Sequence, residues 1–387
     1  MSEIKVTHCK GNISMQDDYM DFINYVFGFN GSTSDFYKLL PKLYKPEYDP
    51  CASSYVTLEG EKIKAAVGAF DIDLDVCGNE LKCRGIGNVA VHPFSRSKGY
   101  MRKLMEMSID DMIKDGVDFS FLGGRRQRYN YFSYEKGGES YNFTVNADNM
   151  RHVFGKERKM RFTLRPLTPD SEVLDDIAKL YERVPFHAKR DRSKLFDILC
   201  SWSSVPFAAY DENNKFVGYF VYGREAVKEI FTVESADFKE LVACAYDKIK
   251  KIGNLSVILP PFCVEYIEQI LTFCEGYTVG TNELYTVFNY RKVCDALLKL
   301  KSQYSKLCDG EIVVEINGRA GKEKLLFKVE NGATSVEDTD REANFTLEHL
   351  DAINFLFAPV CAKRRTAPAE VQGFFPLPIY IFSADGV

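Results

Sequence analysis

The sequence predicts a mixed α/β (α+β) protein with two αβ units in tandem and a third α/β unit behind them. Three observations predict it. Residues 85–116, GIGNVAVHPFSRSKGYMRKLMEMSIDDMIKDG, read as strand, basic glycine-containing turn, helix and stop. The same order of elements recurs between Pro206 and Leu259, without the basic turn. From about Tyr290 the pattern changes to a helix and then short strands joined by Asn-Gly turns. The units so predicted are 1–150, 151–287 and 288–387, with the charged segment Gly155 to Arg161 near the first boundary.

In chain order, the apolar patches Met20 to Phe27 and Phe36 to Tyr44 read as two amphipathic helices split by a Gly31-Ser32-Thr33-Ser34 turn. Strands follow at Ser53 to Leu58, Ile63 to Val76 and Leu81 to Val91, separated by turns at Glu59-Gly60-Glu61 and Cys77-Gly78-Asn79-Glu80. Pro93 cannot continue a ladder and ends the third strand. Apolar residues at Met101, Leu104, Met105, Ile109 and Met112 have helical spacing, and Gly116 is the expected C-cap. Val117 to Leu122 is a short strand that enters the loop Gly123 to Glu135, and strands resume around Tyr141 to Asn146.

Helices are expected at Pro169 to Arg183 and Lys194 to Trp202. The second copy then runs through strands Pro206 to Tyr210, Phe216 to Tyr222 and Val227 to Val233, helix Ala236 to Ile252, stop Gly253 and strand Leu255 to Leu259. The third unit begins with helix Val293 to Tyr304. Strands Ile312 to Ile316 and Leu325 to Glu330 outline a meander, and Leu347 to Leu356 is a helix. The aromatic, proline-containing tail Phe374 to Val387 is expected to pack against the protein and to place the terminal carboxylate at a defined position.

A strand that feeds a helix through a basic turn is an anion site. The first N–H groups of the helix and its dipole point at the ligand, and Gly99 lets the backbone come close. In the second copy Glu234-Ser235-Ala236-Asp237 replaces Arg96-Ser97-Lys98-Gly99, and two carboxylates there would repel a pyrophosphate. The second copy is therefore expected to be structural.

Composition bounds the function. A net charge of −5 over 387 residues does not favour nucleic acid or an anionic membrane as partner. The 11 cysteines have no C-x-x-C spacing, and no secretory apolar segment precedes them, which implies a reducing compartment and a cytoplasmic protein. The five histidines are isolated, so no metal is expected. No apolar run approaches membrane-spanning length.

At V-A-V-H-P-x-x-R-x-x-G-x-x-R-x-L-M (Val89 to Met105) the chain resembles the GNAT superfamily of acyl-CoA N-acyltransferases, with Met101 where members more often have Gly or Ala. Tyr129 to Tyr134 is similar to that family's Y-x-x-x-G-[FY], with Ser133 in place of the glycine. A motif-bearing acetyltransferase unit, a motif-free copy and a C-terminal unit similar to sterol carrier proteins together resemble the enhanced-intracellular-survival protein family. The resemblance implies tandem GNAT folds followed by a sterol-carrier-protein-like α/β domain. It also implies acetyl-CoA as acyl donor and a homo-oligomer, hexamer or trimer.

Carried over, Val89 and Val91 would pair with the pantetheine arm. Arg96, Ser97, Lys98, Gly99, Tyr100, Met101 and Arg102 would form the pyrophosphate turn and first helical turn. Tyr129 would be the general acid and the Val387 carboxylate the general base, with Asp385 as fallback. The acidic substrate-pocket residues of that family have no counterpart at Phe27-Gly28-Phe29-Asn30, which puts aminoglycoside acceptors in question.

N-acetylation needs a neutral amine, a polarised thioester and a proton for the leaving thiolate, which a carboxylate, backbone amides and a tyrosine can supply. The expected function is acetyl-CoA-dependent transfer to a primary amine, of a small molecule or a lysine, by direct transfer in a ternary complex. The net negative charge suits a cationic acceptor. Arg125, Arg126 and Arg128 could bind coenzyme phosphates or favour a tyrosinate, whereas His92 is expected to be structural. Two alternatives fit the same features: a lipid carrier using the C-terminal unit, and a non-catalytic coenzyme binder, to which Ser133 and Met101 would be suited.

Overall fold

The computed structural model describes residues 5–29, 35–249 and 253–387. The expected turn at 31–34 and the last residues of the expected helix 236–252 lie outside them. Thirteen strands enter one sheet or its margin: β1 (Val6–Lys10), β2 (Ser54–Glu59), β3 (Lys62–Val76), β4 (Asn79–Val91), β5 (Phe119–Leu122), β6 (Glu135–Asn146), β7 (Thr163–Pro166), β8 (Phe186–Ala188), β9 (Val205–Tyr210), β10 (Phe216–Gly223), β11 (Ala226–Thr232), β12 (Asn254–Leu259) and β13 (Gly276–Val287). Their order is β1-β2-β3-β4-β5-β13-β6-β12-β11-β10-β9-β7, with β8 beside β3. A separate sheet, β16-β15-β14-β17, holds β14 (Gly310–Asn317), β15 (Lys322–Glu330), β16 (Ala333–Asp338) and β17 (Phe345–Glu348).

Both copies follow one plan. An antiparallel meander leads through a helix to a parallel strand, β4 to β5 in the first and β11 to β12 in the second. The crossover helices are Tyr100–Lys114 and Phe238–Ile249. The first buries Leu104, Met105, Ile109 and Met112 against Val67, Ile86 and Leu122, whereas Met101, at the open end, is only partly covered. On the opposite face of the sheet, helix Gln16–Phe29 packs Tyr19, Ile23 and Val26 over Val56, Ala66 and Ala90.

At the centre the copies exchange strands. β13 follows the second copy but pairs with β5 of the first, and β6 precedes the second copy but pairs with its β12. The two then pair with each other, so the sheet is continuous. The first half of β13, Gly276 to Asn282, has no continuous apolar run, and the sequence reading did not find this strand.

Other departures have local causes. The helix expected at 36–44 is two short ones, Phe36–Leu39 and Pro41–Tyr44, because Pro41 has no N–H to extend the first and Leu40 turns away at φ −135°, ψ 65°. The helix expected to end at Trp202 stops at Cys200, and Trp202 and Ser203 then take left-handed backbone (φ +61° and +56°). Asn331-Gly332 forms its hairpin turn with both φ positive, as a two-residue loop requires.

The tail is packed. Phe374, Leu377, Ile379, Tyr380 and Phe382 are buried. Leu377 N–H donates to Leu356 O at 2.7 Å, Ile381 and Asn282 exchange two backbone–side-chain bonds, and Lys42 Nζ donates to Ala384 O at 2.6 Å. All eleven cysteines are free thiols. Among the described residues no helix is long and apolar enough to cross a membrane, and no group of three or more His, Cys, Asp or Glu is placed to hold a metal ion.

Candidate active site

The site begins with an irregularity in β4. Ala66 of β3 faces Ala90 and Gly68 faces Gly87, so Asn88 and Val89 together oppose the single residue Val67. This is a β-bulge, and it bends the strand. Asn88 takes φ +49° and is buried, with its amide on Tyr44 Oη. The parallel pairing of β4 with β5 ends at Ile86–Leu122. Beyond it the edge of β4 from Gly87 to Val91 has no strand beside it among the described residues and opens on a cavity.

That first cavity, about 860 Å³, is lined by Val89, Val91, Arg96, Ser97, Gly99, Tyr100, Met101 and Arg102, together with Arg125 and Arg128. The turn is shaped by left-handed backbone at Ser97 (φ +66°) and Gly99 (φ +80°). Gly99 stands at the N-cap of helix Tyr100–Lys114 and no side chain caps it. A Cβ at Gly99 would meet nothing within 4 Å, so the approach to the helix N-terminus is open. Lys98 is the one expected turn residue that does not line the cavity. Its Nζ pairs with Glu59 at 2.6 Å, and Tyr100 Oη donates to the same oxygen at 2.6 Å. Glu59, which the sequence reading placed in a turn without a role, therefore anchors the basic loop from below.

A second cavity of about 640 Å³ adjoins the first, with Phe27, Val89 and Arg128 common to both. Tyr129 and Val387 line it, with Asn88, Trp202, Ser203 and Arg224. The Tyr129 ring is buried against Gly124, where a Cβ would come within 2.4 Å of it. Burial pushes its phenol above the ordinary tyrosine value, and Arg128 pulls it back in part. Ser133 closes the short turn after Tyr129 with φ +68°, the conformation for which a glycine would be the easier residue. Arg126 is locked by two 2.5 Å bonds to Glu135, leaving Arg125 and Arg128 as the loop cations that face the cavities.

Val387 lies over β4. Added Cβ atoms at Gly85 and Gly87 would come within 2.4 Å of its Cγ2 and 3.1 Å of its carboxyl carbon. Trp202 Nε1 donates to Gly386 O at 3.2 Å, fixing the preceding peptide. Asp385, the fallback base, faces away: Arg190 Nε and Tyr181 Oη each donate to it at 2.8 Å in a buried cluster. Burial alone would raise its carboxyl, but Arg190 holds it below the usual range. His92 caps the turn at Phe94 N and stacks on Tyr25, 5.4 Å between centroids.

The second copy has a corresponding opening beside the end of β11, a cavity of about 740 Å³, but Glu234 and Ser235 line it in place of a basic turn and Tyr266 forms part of its wall. Tyr266 Oη accepts from Thr232 N–H at 2.9 Å and lies 3.0 Å from Thr232 Oγ1, and its ring stacks on Phe238 at 4.2 Å. Instead, this copy lends Trp202, Ser203 and Arg224 to the second cavity. No motif marks those three. Their one shared signal, left-handed backbone at non-glycine residues, is visible only in three dimensions.

Residues 11–137 match the family described as acetyltransferase (GNAT) domain. No curated protein matches the chain in sequence. Among solved structures, a GCN5-related N-acetyltransferase from Anabaena variabilis is similar over 99% of both chains at 13% identity and TM-score 0.67. A probable N-acyltransferase from Enterococcus faecalis is similar over 97% of both chains at 14% identity and TM-score 0.66. Eis1 from Mycobacterium abscessus is similar over 99% of both at 10% identity and TM-score 0.63. The N-terminal third of the chain is therefore an acetyltransferase domain of the GNAT kind, and the whole chain has the fold of the N-acetyltransferases built around one.

Proposed function

We propose that the protein is an acetyl-CoA-dependent N-acetyltransferase of the enhanced-intracellular-survival type that modifies a primary amine. The observation that carries this reading is the junction of the two cavities at Val89 and Arg128. One cavity offers an uncapped helix N-terminus and a basic turn suited to a pyrophosphate. The other offers a tyrosine and a carboxyl group suited to proton transfer.

In this reading the Val387 carboxyl takes a proton from the acceptor amine, directly or through water. The nitrogen attacks the thioester carbonyl, the N–C bond forms and the C–S bond breaks. Tyr129 returns a proton to the departing thiolate. The backbone of β4 at the bulge holds the acyl donor and can polarise its carbonyl. The chain's units are a coenzyme-binding copy, a motif-free copy that completes the acceptor side, and a C-terminal unit that delivers the tail. Assembly into a homo-oligomer in the cytoplasm belongs to the same proposal.

The lipid-carrier alternative has little support. The third unit's interior is filled by its own Phe374, Phe375 and Leu377, and the cavity beside it, about 410 Å³, mixes Arg364, Arg365 and Gln372 with Pro359, Val360 and Phe375. Isothermal titration of acetyl-CoA tests the proposal. Wild type should bind, and an Arg96→Glu/Gly99→Glu variant should not. No binding by wild type would sink the proposal.

A further inference from the structure

Another cavity, about 440 Å³, opens on the far side of Val387. It shares Gly123, Trp202, Arg224 and Val387 with the second cavity and adds Lys228 and Glu283. The Val387 carboxyl thus stands at a partition. A molecule with an amine at that carboxyl can extend into either side.

Two cationic side chains on the far side, Arg224 and Lys228, share the lining with Glu283 and the Val387 carboxyl. Among the described residues neither Arg224 nor Lys228 makes an ion pair, whereas Lys38, on the near side, is cancelled by Asp35 at 3.0 Å. Arg224 lies over the Trp202 ring, 5.6 Å to the centroid. Lys228 is half-buried on β11, and burial and then Arg224 both disfavour its charge. Glu283 does not act as their counter-ion. Burial pushes its carboxyl up to about 7, and the cation that moderates this is Lys136.

The backbone points the same way. Arg224 and Glu225 form a two-residue hairpin with φ +51° and +65°, a turn in which Asn and Gly are the unstrained residues. Trp202 and Ser203 are left-handed as well. Left-handed backbone at non-glycine residues is costly and clusters at binding sites. Here four strained positions converge on one arginine and the indole beneath it.

Resting on the acetyltransferase reading above, we propose that the acceptor is a primary amine that also bears an anionic group, a carboxylate or a phosphate, and that Arg224 and Lys228 receive that group while the amine lies at Val387. This runs against the cationic acceptor that the net charge suggested. Net charge is summed over the whole surface, whereas an acceptor whose amine lies at the Val387 carboxyl extends past Arg224 and Lys228, neither of which is ion-paired among the described residues.

The test is steady-state acetylation by the full chain, with acetyl-CoA, across four amine panels: amino acids and dipeptides, aminoalkyl phosphates, the esters or amides of the same amines, and polyamines with aminoglycosides. One anionic panel should exceed its neutralised counterparts in kcat/KM by about tenfold or more, the scale of one charge-assisted contact, and which panel leads separates carboxylate from phosphate. Arg224→Gln and Lys228→Gln should each raise KM for that panel by about tenfold while acetyl-CoA affinity and the melting temperature stay unchanged. Preference for polyamines or aminoglycosides, or unchanged KM in both variants, overturns the assignment and leaves the acetyltransferase reading standing. Absence of turnover with every amine overturns both.

Discussion

The carboxyl carbon of Val387 rests against Gly87, close enough that a Cβ on that glycine would lie 3.1 Å away. The end of the third unit is thereby built into the bulged strand of the first. The contact requires the absence of a side chain on β4, and the glycines of GIGNV read in that light as room for the tail as much as for a ligand.

Gly85→Ala would place a methyl group 2.4 Å from Val387 Cγ2 and 2.9 Å from the Phe121 ring. The expected cost is about 1–3 kcal/mol of stability. Turnover should fall further than that loss accounts for, because the carboxyl is displaced, while acetyl-CoA affinity is retained. Titration calorimetry beside an acetylation assay reads the two effects separately, and full turnover in a folded Gly85→Ala protein would remove Val387 from the mechanism.

Tyr129→Phe should slow turnover by roughly a hundredfold, the lower range for a general acid, with acetyl-CoA affinity unchanged. Its phenol is raised by burial, so it stays protonated through neutral pH. The activity of wild type should accordingly show no loss assignable to Tyr129 as pH rises from 7 towards 10. An unaltered rate in the variant would exclude the acid role.

Lys42 supplies a pH-dependent term in the tail's anchorage. Burial brings its ammonium down to about 7, against the attraction of Asp385. An unfolded lysine keeps its proton to about 10.4. Between those values the unfolded chain holds more protons than the folded one, so stability rises with pH, by at most about 1.4 kcal/mol per unit. Denaturant melts from pH 7 to 9.5 should show the rise in wild type and lose it in Lys42→Met; equal slopes in the two proteins would exclude Lys42 as its source.

Asp385 is expected to contribute with the opposite form. Its folded carboxyl lies below the usual range, so its stabilisation is present above the unfolded carboxylate value, about 3.9, and lost as pH falls through the folded one. Asp385→Ala removes one of the two carboxylates paired with buried Arg190, leaving Glu229, and should cost about 1.5–3 kcal/mol. A melting temperature equal to wild type would show that the cluster does not hold the tail.

One acetyl-CoA should bind per chain. Glu234 lines the second copy's opening where the first copy has its basic turn, and Tyr266→Ala, which widens that opening, should lower stability without adding a second binding event, because Glu234 and Asp237 remain at the turn. A stoichiometry of two in either protein would contradict the division of labour between the copies.

What could be read in advance follows from the range of the signals involved. The strand–turn–helix at 85–116 is local chemistry, with apolar runs, a proline stop and helical spacing inside one short window, and it stands where expected. The element order of the second copy is equally local. β13 was missed because its pairing partners lie far away in sequence and its first half, Gly276 to Asn282, which pairs with β6, has glycines and polar residues in place of an apolar run; only Leu284 to Val287, which pair with β5, have strand-forming side chains. Trp202, Ser203 and Arg224 were missed for the same reason. Their importance lies in where two turns of the second copy end up, not in any spacing between them.

The strand exchange bears on what counts as a part of this protein. The acetyltransferase match stops at residue 137, three residues into β6, whereas the strand that completes the hydrogen bonds of β5 begins at Gly276. A fragment cut at the end of the match would carry every motif residue and still present β5 as a bare edge, open to pairing with other chains. Sequence recognises a module here that hydrogen bonding does not: in this chain the first copy is closed only by the strand that returns after the second.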